Sequence, residues 1–268
     1  MLTAIALGIL VGLILALTGA GGAIIAVPLL MFGFHWDVIH AAPVALLAVC
    51  SSGLVGTALG LRAGIVRYKA ALLMAGVGSA LAPLGLWVAH RLPATPLTLL
   101  FAAVLVFVAL RMFQQAGREL SGLPALEVVT DAAACKLNEQ TGRFEWTALC
   151  TRTLALAGAV AGFLSGLFGV GGGFVIVPAL KRSTDLPMHA VVATALMVVA
   201  LVSASTVVSS IVAGRLDVAV GIPFACGAVT AMLAGRRLAH RLAGPRLQQG
   251  FAVLTLMVAG GLLVKVLL

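Results

Sequence analysis

Long apolar runs make up most of the chain, and charged residues stand mainly in the gaps between them. Runs of this length predict membrane-crossing helices joined by short polar turns. The first run, Leu2–Phe34, is interrupted by glycines, and three unbroken spans follow at 43–61, 70–89 and 97–113. The layout then recurs, with a glycine-interrupted run at Leu149–Leu180 and spans at 190–213, 218–238 and 247–267. Between the two sets, residues 114–147 are polar and hold five of the eight acids, Glu119, Glu127, Asp131, Glu139 and Glu145. Inside this joint, Cys135–Trp146 predicts two short strands around a glycine turn.

The recurrence extends to residue identity. Gly12–Leu30 (GLILALTGAGGAIIAVPLL) and Gly162–Leu180 (GFLSGLFGVGGGFVIVPAL) agree at eight of 19 positions, at a constant offset of 150. At the same offset Gly64 falls on Gly214, Gly85 on Gly235, and Ala89–Leu92 on Ala239–Leu242, both AHRL. His40 falls on His189 with a slip of one residue. A shared glycine spacing plus a four-residue identity is more than apolar sequences share by chance, so the halves are homologous. The organisation expected is a first transmembrane repeat at 1–113, a joint at 114–147 and a second repeat at 148–268.

Composition agrees: 62% of the 268 residues are hydrophobic and 9% are charged. So few charges cannot cover a water-soluble domain. The net charge of +9 does not point to nucleic acid either, because the basic residues are scattered between apolar runs. The partners implied are the lipid bilayer and a small solute, and a homo-oligomer is left open. Met1–Leu17 lacks a basic start and a cleavage site, and reads as a retained membrane segment. Cys50, Cys135, Cys150 and Cys226 form no CxxC pair and are expected to be free and buried. No metal or other cofactor is expected.

Charge placement discriminates between two topologies. If each glycine-broken run crosses once, bent, the 17 basic residues divide ten against seven between the two sides. If each run is a hairpin that returns to its own side, they divide 14 against three, the three being Arg91, Arg215 and Lys265. Basic residues concentrate on the cytoplasmic side, so the hairpin reading is preferred. Each half then makes an odd number of crossings, and the halves are inverted. The fold class expected is an all-α polytopic membrane protein of two inverted repeats, each a glycine-broken helical hairpin plus three transmembrane helices. Both termini are expected to be periplasmic and the 114–147 joint cytoplasmic.

The glycine breaks are the foremost candidates for a site. Interior glycine weakens a helix, and broken backbone at membrane depth must be buried in protein or line a wet cavity. A short helix restarts after each break, at Ala23 and at about Phe174, and its free amide N–H groups and dipole favour an anion. This predicts an anion site formed by Thr18, Gly19, Ala20, Gly21, Gly22 and Ala23 from one half. The other half would contribute Gly169, Val170, Gly171, Gly172 and Gly173. Pro28 and Pro178 would kink or end the second arms. Tight helix packing through small residues is the alternative for either run.

The spans after the hairpins carry Ser51, Ser52 and Thr57, and Thr194, Ser203, Ser205, Thr206, Ser209 and Ser210. Such hydroxyls can hold a partly dehydrated solute, with Ser51, Ser52 and Thr194 the candidates, or bond their own helix backbone. His40 and His189, each just before a span, can couple transport to protons or simply start a helix. Arg62 and Arg67 can attract anions, though positive-inside placement also accounts for them. No acid lies in the middle of a span, which disfavours a cation pathway and suits an anion.

The paired segments Gly19–Pro28 (GAGGAIIAVP) and Gly169–Pro178 (GVGGGFVIVP) resemble the repeat signature of the sulfite exporter TauE/SafE family, also called the 4-toluene sulfonate uptake permease family. Cys135–Trp146 looks like the cytoplasmic hairpin of some members. The resemblance covers nearly the whole chain. It implies a bacterial inner-membrane transporter of small, often sulfur-containing anions such as sulfite, sulfonates or sulfoacetate. Members often carry Thr-Ser in the span after each hairpin, where this chain has Ala45-Leu46 and Thr194-Ala195. That departure implies a lopsided site. The leading expectation is secondary transport of an anion by alternating access. Its rivals are a passive anion channel, a non-transporting membrane subunit and a membrane enzyme, the last disfavoured by scattered Cys and His.

Overall fold

The computed structural model describes residues 1–18, 22–120, 135, 137–138, 143–144, 146–242 and 245–267. The first half contains α1 (Leu2–Thr18), α2 (Ala23–Gly33), α3 (Val38–Arg62), α4 (Tyr68–Arg91) and α5 (Ala94–Leu120). The second contains α6 (Ala148–Phe168), α7 (Gly173–Ser183), α8 (Met188–Val212), α9 (Val218–Leu242) and α10 (Pro245–Leu267). Strands β1 (Leu137–Asn138) and β2 (Arg143–Phe144) pair antiparallel in the joint, with Leu137 opposite Phe144. Among the described residues, six helices are long and apolar enough to cross a membrane. Pro28 and Pro178 lie inside α2 and α7, and neither ends its helix.

Each glycine-broken run is a pair of antiparallel arms. Gly22 at the start of α2 packs on Leu15 and Ile14, while Gly33 at its end packs on Leu7, near the start of α1. Gly172 at the start of α7 likewise packs on Ala161 of α6. The turns into α4 and α9 are near-copies. Gly64 and Gly214 adopt φ of 68° and 66°, and Ile65 and Arg215 donate N–H bonds back to Gly60 and Ser210. Glycine enters that left-handed region at little cost and so closes a helix C-terminus.

The packing partners exchange between halves. Helix α1 packs along α9, and α6 along α4. Gly8 and Gly12 of α1 press on the carbonyls of Phe224 and Ala228, where any side chain would overlap backbone. Gly158 and Gly162 of α6 press in the same way on Met74 and Gly78. Each of these four residues stands 150 positions from its counterpart, and the same holds for the residues they touch. Both pairs run parallel. Helices α3 and α8 cross antiparallel at the centre, with Gly53 against Ala200, Gly56 against Leu196 and Gly60 against Ala193.

One expectation is overturned. Cys135 and Cys150 form a disulfide, with Cα atoms 4.9 Å apart. Thr147 caps α6 by accepting the Cys150 N–H at 3.1 Å, and Cys135 donates its N–H to Ser183 at 2.9 Å. Those bonds bring the joint, the start of α6 and the end of α7 together, which linear spacing did not reveal. Cys50 is free and buried as expected, whereas Cys226 is free but exposed, on a face of α9 that its neighbours leave uncovered.

Candidate functional site: the second glycine break

Helix α6 ends at Gly169, a left-handed cap whose N–H bonds the Ser165 carbonyl at 2.8 Å. Gly171 and Gly172 are also left-handed, with φ of 69° and 67°, and α7 starts at Gly173 with no side-chain cap. The first amides of α7 therefore have no helical carbonyl to bond. The whole turn, Gly169 to Gly173, is buried.

The turn meets the middle of the α3–α8 crossing. A methyl group at Gly169 would overlap Ala42. One at Gly171 would stand 3.0 Å from Val49, 3.1 Å from Val199 and 3.0 Å from the Ser203 Oγ. Val49 and Val199 stand 150 positions apart, near the midpoints of α3 and α8. Gly171 thus lies almost equally far from the centres of the two crossed helices.

The side chains around the turn divide clearly. Thr57, Ser205, Thr206, Ser209 and Ser210 all bond carbonyls of their own helices. Ser51 does the same, donating to Leu47 at 2.9 Å and Ala48 at 3.0 Å. Thr194 accepts the Arg67 backbone N–H at 3.1 Å, at the turn between α3 and α4. The hydroxyls of Ser52, Ser165 and Ser203 are buried and have no partner. Ser203 faces Gly171, and Ser165 is in the last turn of α6. Ser52 lies one helical turn beyond Val49, on the face of α3 that turns Ala42 and Val49 to the hairpin. An unpartnered buried hydroxyl is costly, and of the three it is the Ser203 oxygen that comes up to the turn; the Nε of Arg67 and the Nε2 of His90 are also buried without a partner.

The other predicted residues are placed as follows. Thr18 ends α1, Gly22 is the uncapped N-terminal flank of α2, and Ala23 is its buried first residue. Gly19, Ala20 and Gly21 lie outside the described residues. His40 lines a pocket of about 400 Å³ with Ile39, His90, Gly214, Arg215, Leu216 and Asp217. That pocket is at the end of α8, whereas His189 is in its first turn, so the two histidines sit at opposite ends of the molecule. Ser165 was not anticipated. Its signal was the comparison of the copies, which sets a serine against Leu15.

Buried, broken helices around a pair of crossed spans define a polytopic membrane protein of the transporter kind. The chain belongs to the sulfite exporter TauE/SafE family, whose profile matches residues 4–262. It is 30% identical to a "Probable membrane transporter protein" of Xylella fastidiosa (strain 9a5c), over 94% of this chain and 90% of that one. It is 26% identical to the "Probable membrane transporter protein YunE" of Bacillus subtilis (strain 168), over 80% and 79% respectively. Among solved structures no match is found.

Proposed function

We propose that the protein is a secondary transporter of small, sulfur-containing anions such as sulfite or organosulfonates, working by alternating access in the bacterial inner membrane. The anion sits at the second glycine break, with the first break completing the site from the other half. The carrying observation is the unpartnered Ser203 hydroxyl, 0% exposed, beside the left-handed Gly171 at the start of α7. Together they offer free N–H and O–H donors and the positive end of a helix dipole.

The scaffold reading is a pair of inverted repeats, 1–113 and 148–268, with both termini periplasmic and 114–147 cytoplasmic. The antiparallel hairpin arms, the antiparallel α3–α8 crossing and the 14-to-three charge division support it. Two experiments test the whole. Purified protein in vesicles should give saturable flux of sulfite or a sulfonate, lost in Gly171→Leu while the variant still inserts. Normal flux in that variant would remove the site. Gly64→Cys should react with an impermeant thiol reagent only from the cytoplasm and Gly214→Cys only from the periplasm. The opposite labelling would reverse the orientation.

A further inference from the structure

The pocket of about 400 Å³ at the end of α8 lies apart from the glycine break. Val212, the last residue of α8, is nine residues past Ser203, about 14 Å along the helix at 1.5 Å per residue. The lining brings together His40 from the start of α3, His90 from the end of α4, and Arg215 and Asp217 from the turn into α9. Taking from the proposed function only that the chain carries anions, we infer that this pocket is a second, proton-linked site, where a small oxyanion and a histidine proton bind together.

The His90 ring is fixed by its own helix. Its Nδ1 stands 2.6 Å from the Leu86 carbonyl oxygen, and a carbonyl only accepts, so Nδ1 carries the hydrogen and donates it. The neutral ring therefore keeps its lone pair on Nε2, which is buried and meets no partner. A second proton has only that nitrogen to go to. It turns an unpaired acceptor into a positively charged donor.

The fixed charges around the pocket cancel. Arg215 and Asp217 line it with opposite signs, and the Asp217 carboxylate accepts the Val220 N–H at 3.2 Å. Beside the lining, Arg91 lies 4.1 Å over the Trp87 ring and Asp37 flanks the start of α3, again one of each sign. Helices α3 and α9 start here while α4 and α8 end here, so the helix dipoles offset too. Arg67, with its buried Nε, is at the other end of α4, about 34 Å along the helix. The sign of the pocket is thus set by histidines, His40 and His90 in the lining and His35 ahead of α3. Histidine changes charge between about pH 5 and 8. A proton makes the neutral pocket attract an anion, and by reciprocity a bound anion favours the proton. In the orientation proposed above this end faces the periplasm, and Arg91 and Arg215 are two of the three basic residues left on that side.

Methanesulfonate is the probe, because it stays a monoanion while histidine titrates. Calorimetric titration of the full-length detergent-solubilised protein, in buffers of different ionisation enthalpy, reads affinity and protons taken up together. One component should bind about tenfold more tightly at about pH 5.5 than at about pH 8, and take up protons with the anion. It should persist in Gly171→Leu, or in Ser203→Ala should the leucine variant not fold, and disappear in His90→Gln. Arg215→Glu, at an exposed position, serves if His90→Gln does not fold, and should remove the component by reversing one lining charge. Proton uptake that survives both pocket variants, disappears with Gly171→Leu, or is lost instead in His189→Gln would overturn the pocket site. So would methanesulfonate binding that does not change with pH. Proton-linked binding kept in Gly171→Leu alongside normal flux would remove the glycine-break site and leave the pocket standing.

Discussion

Replacing Gly171 by alanine separates the proposed site from an ordinary turn. The residue has φ of 69°, where a side chain costs about 1–2 kcal/mol. The new methyl would also stand 3.0–3.1 Å from Ser203, Val49 and Val199, closer than ordinary carbon contacts. Overpacking of this kind costs about 1–3 kcal/mol. Gly64 is the matched control, with φ of 68° and nothing within 4 Å of its methyl position. Gly64→Ala bears only the first cost, so Gly171→Ala should be the less stable by about 1–3 kcal/mol. Thermal unfolding in detergent, followed by size-exclusion, measures the difference, and vesicle flux measures the consequence. Gly64→Ala should melt slightly early and transport normally. Gly171→Ala should melt earlier and transport poorly. Equal melting and equal flux in the two variants would refute the packing of the turn into the α3–α8 crossing.

Gly162→Leu should prevent α6 from reaching the Gly78 backbone and remove folded protein from detergent extracts, whereas Gly76→Leu, with open space around it, should fold. Ser203→Ala should raise the melting temperature while lowering affinity, because it deletes an unpaired buried hydroxyl worth about 1–3 kcal/mol of strain on the empty protein. Thr206→Ala, whose hydroxyl bonds Val202, should not show that pairing of effects. Cys135→Ser should loosen the joint by about 3 kcal/mol, the value for a loop of about 15 residues, read as faster proteolysis between α5 and α6. In growing cells a cytoplasmic joint should hold both cysteines as thiols, alkylated on rapid quenching, and form the disulfide only on exposure to air. Full oxidation in the cell would place the joint on the periplasmic side.

Much of the helix layout was legible because the same pattern of glycines and apolar runs occurs twice along the chain. The offset of 150 located both broken runs, and the basic residues called for hairpins, whose antiparallel arms the Gly33–Leu7 contact displays. The glycines themselves did not reveal their different uses. Gly12 and Gly162 belong to the same signature as Gly169 and Gly171, yet the first two admit a neighbouring helix and the last two turn the chain. Small residues announce that something comes close, not what. Ser51 and Ser52 show the same limit. They are adjacent, but Ser51 turns its hydroxyl back to the Leu47 and Ala48 carbonyls while Ser52 leaves its own without a partner. The Cys135–Cys150 bond depended on how the joint folds back against α7, a long-range fact with no local pattern.

The exchange of α1 and α9, and of α4 and α6, bears on how the protein is made. Helix α1 leaves the ribosome long before α9, whose surface covers its Gly8 and Gly12. Until α9 is present, those glycines lack the surface that covers them. Truncation before α9 should therefore leave α1–α5 prone to degradation. Synthesis proceeds from one end, but assembly closes from both.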